Sequence, residues 1–226
     1  MAAGDITDAL VSELQIRMGN PEGDKFTKNM CLSALNHAQL KTALFLHPSY
    51  LTELETKSSL QTAEGGFTAF NTGFDPPLLN GGAGLLKVGI SDTEFVKERL
   101  LEDMKKTENI YFAGGATNKI FYKWDGEISF ITGAAGQTSY LYYLEQPPTM
   151  TTSVDPLLNE HLHDIMLKFA EAILATGDLN INKRSDAYTY AMDQIKRLND
   201  KAFKREPLGI GTSEKRRAME RGENIG

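Results

Sequence analysis

Apolar residues recur every three to four positions at both ends of the chain and give way to alternation in the middle. Ile6, Leu10, Leu14 and Met18 form one stripe. They predict a first helix capped at Asp5 or Thr7 and stopped by Gly19-Asn20-Pro21. Phe26, Met30, Leu35, Ala38 and Leu46 follow on one face, with Cys31, Ala34 and Thr42 beside them. They predict a long second helix from near Asp24 to His47, where Pro48 ends it. Tyr50 to Leu54 fits one further helical turn.

Residues 56–84 change character. Ser, Thr, Gly, Asn and Pro dominate and end in Asn80-Gly81-Gly82-Ala83-Gly84, which predicts a long flexible excursion. From 85 to 146 the pattern is mostly that of strands: Leu85–Ile90, Ile110–Ala113, Asn118–Trp124, Glu127–Ile131 and Ser139–Leu144. Asp125-Gly126 between two apolar, aromatic runs signals a tight hairpin, because both residues tolerate the positive φ of the turn. Thr93 to Lys106 is expected to be a helix capped by Thr93, with Phe95, Val96, Leu100 and Met104 on its apolar side. Pro147-Pro148 marks the return from this region.

The helical period resumes at Asp155-Pro156, an expected N-cap with proline in the first turn. Leu158, Leu162, Ile165, Phe169 and Ile173 follow, and Gly177 is the expected stop. A last helix is expected from about Asn182 to Phe203, with Tyr188, Ala191, Met192, Ile195 and Leu198 inward. The expected fold class is therefore mainly α: a four-helix bundle interrupted by a β-rich insertion, with an extended C-terminal tail. Residues 1–55 and 149–203 make the bundle, 56–148 the flexible loop and insertion, and 204–226 the tail.

Composition narrows the function classes. Apolar residues make up 41% and charged residues 24%, enough to build a core. The single cysteine, Cys31, excludes an internal disulfide framework and a zinc site built on cysteines. It lies on the apolar side of its helix and is expected in the core, consistent with folding in a reducing compartment. No membrane span is expected, and the opening residues lack the basic start and apolar run of a secretion signal. The net charge of −6 is unevenly placed: residues 201–226 hold seven Lys/Arg against four Glu, leaving the rest at −9. An acidic body disfavours tight nucleic-acid binding, which rests on phosphate neutralisation, whereas a basic tail suits an acidic partner.

Candidate chemistry is sparse. Glu160-His161-Leu162-His163-Asp164 places two histidines only two positions apart, so on a helix they point to different sides and cannot share a metal easily. Gly133-Ala134-Ala135-Gly136-Gln137-Thr138-Ser139 lacks the lysine and the following helix of a phosphate loop. No nucleophile elbow, His-Glu-x-x-His or Cys/His pair occurs, and nothing selects two carboxylates for acid–base work. The expectation is a protein that is not an enzyme and carries no metal or cofactor. The insertion is rich in aromatics. Tyr140 and Tyr142 share one side of their strand, Leu141 and Tyr143 the other, so one face can build a core while the second meets a neighbour.

Several of these features occur together in a known order. Leu35-Asn36-His37-Ala38-Gln39 lies in the second helix. Tyr142-Tyr143-Leu144-Glu145-Gln146-Pro147-Pro148 closes the insertion. Val154-Asp155-Pro156-Leu157-Leu158, His161 or His163, and Phe169-Ala170-Glu171-Ala172 open the helical return. Over roughly residues 1–200 the chain resembles the head-to-tail adaptor (connector) proteins of tailed bacteriophages. The Gly/Ser-rich stretch 56–84 departs from many members of that family.

The resemblance implies a virion structural protein at the head–tail junction, made in the host cytoplasm. It implies a homo-oligomeric ring, usually of twelve copies, docked beneath the portal protein and extending the DNA channel towards tail, nozzle or terminator proteins. DNA would pass an acidic lumen without sequence-specific binding, and ring contacts would be head-to-tail and closed by rotation. The tail residues Lys204, Arg205, Leu208, Ile210, Lys215, Arg216, Arg217 and Arg221 are the expected portal contacts. Tyr122, Trp124, Tyr140 and Tyr142 are the expected contacts to a neighbouring subunit or the tail. Another neck or tail protein, or a cellular protein-binding scaffold, fits the same residue patterns.

Overall fold

The computed structural model describes residues 4–61, 67–69, 74, 77–79, 84–89, 94–98, 120–124, 127–131 and 138–205. Among the described residues, four α-helices flank a seven-stranded sheet: α1 (Asp5–Arg17) and α2 (Lys28–Phe45) before it, α3 (His163–Gly177) and α4 (Ile181–Arg205) after it. The architecture is thus helices carrying a β insertion. Among the described residues, no helix is long and apolar enough to cross a membrane.

The helices gather around α3, which packs against α4, α2 and α1. Its sequence explains this central place. Ile165, Met166, Leu167, Phe169, Ala170, Ala172, Leu174 and Ala175 are all buried, an apolar surface on nearly every side. The outer helices contribute narrower stripes, such as Leu10, Val11 and Leu14 from α1 and Ala191 and Ile195 from α4. Cys31 lies fully buried in this core, and burial pushes its thiol pKa up.

The sheet has the order β1-β7-β3-β4-β5-β6-β2. Its strands are β1 (Glu55–Gln61), β2 (Phe67–Ala69), β3 (Leu85–Gly89), β4 (Phe95–Glu98), β5 (Ile120–Trp124), β6 (Glu127–Ile131) and β7 (Thr138–Leu144). The expected hairpin is present: β5 and β6 pair antiparallel with Trp124 opposite Glu127, leaving Asp125-Gly126 as the connection. Val88, Leu141 and Tyr143 are fully buried in a second core under the sheet, with Val96 and Phe121 beside them. Leu79 and Leu144 belong instead to the helical core, so the end of β7 joins the two.

Several expectations need correction. Phe95–Glu98 is a strand, not the start of a helix: it pairs antiparallel with β3 and parallel with β5, and that pairing outweighs the local helical pattern. The stretch after residue 55 is not simply a flexible excursion, because β1 pairs with β7 over seven residues and β2 pairs with β6. Both are the outermost strands, where a polar sequence is tolerated because one edge meets no further strand. Lys204 and Arg205 continue α4 and are not tail. The second helix begins at Thr27, whose Oγ1 accepts from Met30 N at 3.4 Å, not near Asp24. The expected strand 110–113, residues 99–106 and the tail beyond Arg205 lie outside the described residues.

The most consequential correction concerns Asp155. It does not cap its own helix, which starts with a 3₁₀ turn at Glu160–Leu162 capped by Asn159. Its carboxylate caps α1 instead, accepting from Gly4 N at 3.1 Å and Thr7 N at 2.9 Å, and from Thr7 Oγ1 at 3.3 Å. Gly4 sits at φ +95°, and a Cβ there would strike the Thr152 carbonyl, so this junction requires glycine. Two α2 side chains hold the same returning segment. Asn36 donates to Met150 O at 3.1 Å and accepts from Met150 N at 2.7 Å; Gln39 donates to Pro148 O at 2.9 Å.

The Thr7 N–H above all, opposed by partial desolvation and aided by the Gly4 N–H, holds the Asp155 carboxyl below its ordinary pKa. Its contribution to stability is therefore complete above the unfolded-state value and lost as pH falls through the lower folded value. Asp155→Asn should lower the melting temperature at pH 7, and the gap to the parent chain should narrow once the pH drops below about 4. Thermal melts of both chains across that range check this; a constant gap refutes it. Asn36→Ala, which strips both backbone groups of the fully buried Met150, should cost about 2 kcal/mol in urea unfolding.

Candidate interaction surfaces

The strands of the sheet alternate as the sequence demands. Leu141 and Tyr143 point inward, Tyr143 against Phe74 with ring centroids 5.0 Å apart. Tyr140 and Tyr142 face outward and are only partly covered. The register sets Lys57 of β1 and Lys87 of β3 directly opposite Tyr142, one on each side. Lys57 Nζ lies 4.6 Å from the Tyr140 ring centroid and 5.5 Å from that of Tyr142. Phe95 meets Tyr142 edge-on at 5.8 Å and lies under Lys87 Nζ at 5.2 Å. The outer face thus carries rings stacked with ammonium groups, an amphipathic array.

Of the sequence-predicted contacts, this face brings Tyr140 and Tyr142 together. Tyr122 and Trp124 stand in β5, on the far side of β3 and β4 from β7. Two positions apart in one strand, they share a face with one another by register. Lys204 and Arg205 are the last residues of α4. Leu208, Ile210, Lys215, Arg216, Arg217 and Arg221 lie outside the described residues, as do residues 133–137 of the glycine-rich stretch.

A charged cluster links α1, α3 and α4. Arg17 contacts Glu13 at 2.6 Å, Asp164 at 2.9 Å and Glu171 at 3.4 Å. Glu171 has only 5% of its side chain exposed, and Lys168 contacts both its oxygens, at 3.1 and 3.0 Å. Tyr190 donates to Asp164 at 3.1 Å, which raises the phenol pKa, and Lys183 Nζ donates to Arg17 O at 2.6 Å. Each carboxylate here is matched by a cation, the pattern of an ion-pair network that fixes helix orientation. His163 is buried with Nε2 3.1 Å from Leu158 O, whereas His161 is exposed and its Nδ1 lies 2.5 Å from Asn159. The two rings thus have separate surroundings. Among the described residues, no three His, Cys, Asp or Glu side chains gather as metal ligands.

Sequence reasoning found the outward tyrosines through alternation alone. It missed Lys57 because β1 carries no apolar pattern of its own, Phe95 because it fits a helical stripe, and Lys87 because its place beside Tyr142 is set only by pairing with β7. The two faces differ in what they contribute to folding. Tyr143→Ala should cost about 3–5 kcal/mol by opening the core, whereas Tyr142→Thr should cost about 1 kcal/mol or less, a partly exposed ring contact exchanged for a good strand former. Equilibrium urea denaturation of the two variants checks the contrast, and equal losses would mean the faces are misassigned. Compared with protein-family models and with curated proteins, the chain matches none.

Proposed function

We propose that this chain is a non-catalytic assembly protein of the phage head-to-tail adaptor type, forming a ring beneath the portal and extending the DNA channel. The observation that carries this reading is convergence. Residues from three of the stretches behind the resemblance, more than a hundred positions apart, meet at one junction: Asn36 and Gln39 hold the Pro147-Pro148 return, and Asp155 caps α1. A junction of this kind gives the insertion a fixed direction relative to the helices, which an assembly platform needs.

In this reading the four helices form a closed bundle whose flanks meet neighbouring copies, twelve in the family it resembles. The Tyr140/Tyr142 face, with Tyr122 and Trp124 along the sheet, serves a neighbouring subunit or tail, nozzle or terminator proteins. The basic segment after α4 reaches the portal through Lys215, Arg216, Arg217 and Arg221, with Leu208 and Ile210 as apolar anchors and Lys204 and Arg205 at its root. DNA slides through the lumen past an acidic body without sequence-specific contacts. The protein resides at the head–tail junction of the virion.

Electron microscopy of the purified chain mixed with the portal protein of the same virus tests this. Closed rings seated on the portal are expected, and deletion of residues 206–226, which leaves α4 whole, should reduce docking while the helical content stays unchanged. Particles that never dock would overturn the assignment. Rings that engage tail components but not the portal would place the protein elsewhere in the neck.

A further inference from the structure

Between α2, α3 and α4 runs a groove of about 510 Å³. Its floor is apolar, formed by Phe169 and Ile173 of α3, and Tyr188 of α4 stands against Phe169 with ring centroids 5.7 Å apart. Two cations line it from opposite helices, Lys41 and Arg184, and among the described residues no carboxylate lines it. Lys41 is stacked in place: its Nζ lies 4.6 Å from the Tyr188 ring centroid and 5.4 Å from that of Phe169. An ammonium held between two rings has little rotamer freedom left to lose on meeting an anion. Among the described residues, neither Lys41 nor Arg184 has a carboxylate partner. In a chain of net charge −6, whose other central cations Arg17 and Lys168 are paired, that is a local reversal.

The corner at one end of the groove carries a second, separate signal. Ile181 lines the groove and is 74% exposed; Leu179 beside it is 86% exposed. Leu179 also ends α3 in the left-handed region, at φ +55°. Its N–H donates to Thr176 O and the Asn180 N–H to Ala175 O, the bonding of a helix stop that normally places glycine here. A leucine at this position strains the backbone and exposes its whole side chain to water, so the isolated chain draws no folding benefit from it. The sequence expectation that Gly177 supplies the stop is thereby corrected: Gly177 is the last residue of α3, with no positive φ.

We propose that this groove is a docking site for an acidic peptide segment of a partner protein, with carboxylates received by Lys41 and Arg184 and apolar side chains laid on Phe169 and against the Leu179–Ile181 lip. Charge complementarity selects an acid, and the apolar floor and lip select a segment that brings hydrophobic side chains with it. Two cations are too few for tight binding to a nucleic-acid backbone. The inference stands apart from the adaptor reading, since it needs only a partner bearing such a segment.

A random twelve-residue peptide display library panned on the immobilised full chain tests this. Enriched sequences should combine Asp or Glu with Leu, Ile or Phe, and their binding should weaken with salt. Lys41→Gln and Arg184→Glu should each reduce the affinity of an enriched peptide about threefold to fivefold, the scale of a single partly exposed charge pair. Leu179→Gly should act in opposite senses, raising the melting temperature by relieving the strained turn while weakening peptide binding. No enrichment, enrichment without acidic residues, or binders indifferent to these three substitutions would overturn the proposal. So would a groove occupied by a second copy, seen as self-association abolished by Arg184→Glu with no peptide selected.

Discussion

The fold depends on one closure: the segment that leaves the sheet must find the helices that were made before the sheet began. Asn36 grips Met150 through both of its amide atoms, Gln39 holds Pro148, and the Asp155 carboxylate takes the free N–H groups of α1. These contacts are short-range forces acting between residues more than a hundred positions apart. Without them α1 would end in unsatisfied donors, and the return segment would bury backbone groups with no partner. Hydrophobic burial around α3 drives the helices together, but it is not directional. The hydrogen-bonded closure fixes which way the chain passes over the helices.

From this closure the two-core arrangement follows. The helical core is built around α3, and the sheet has its own core under β3 and β7. Among the described residues, the end of β7, the segment around Leu79 and Leu86 of β3 link the two, with Leu79 N donating to Leu144 O at 2.8 Å and Glu145 N to Leu54 O at 2.8 Å. The sheet is therefore anchored to the helices through the β7 end. The surfaces proposed for partners, the ring-and-ammonium face of β1, β7 and β3 and the groove of α2, α3 and α4, lie one in each unit.

Much of this was legible from pattern. The helix stripes, the Asp125-Gly126 hairpin and the inward and outward sides of β7 all follow from periodicity, because each is decided by residues close in sequence. What was not legible was decided at a distance. Phe95–Glu98 is a strand because β3 and β5 are on either side of it. The polar run Glu55–Gln61 is a strand because β7 offers it a full ladder. Asp155 carries the residue type of a cap, and the sequence shows that much, but not that the capped helix is α1. The Lys41–Arg184 groove was invisible for the same reason: three helices contribute to it, and no local spacing brings those two cations together.

The interruption of the helical unit has a consequence for how the chain comes into being. The α3–α4 pair is joined by a short turn and can form from local contacts, whereas α1 and α2 must wait for partners encoded beyond the sheet. During synthesis the apolar stripe around Leu10, Leu14 and Leu35 is complete before α3 exists to cover it. Over that interval the growing chain carries an unsheltered apolar surface. How long that surface waits depends on the length of the insertion, so the sheet bears on the chain's folding even where it adds nothing to the helical core.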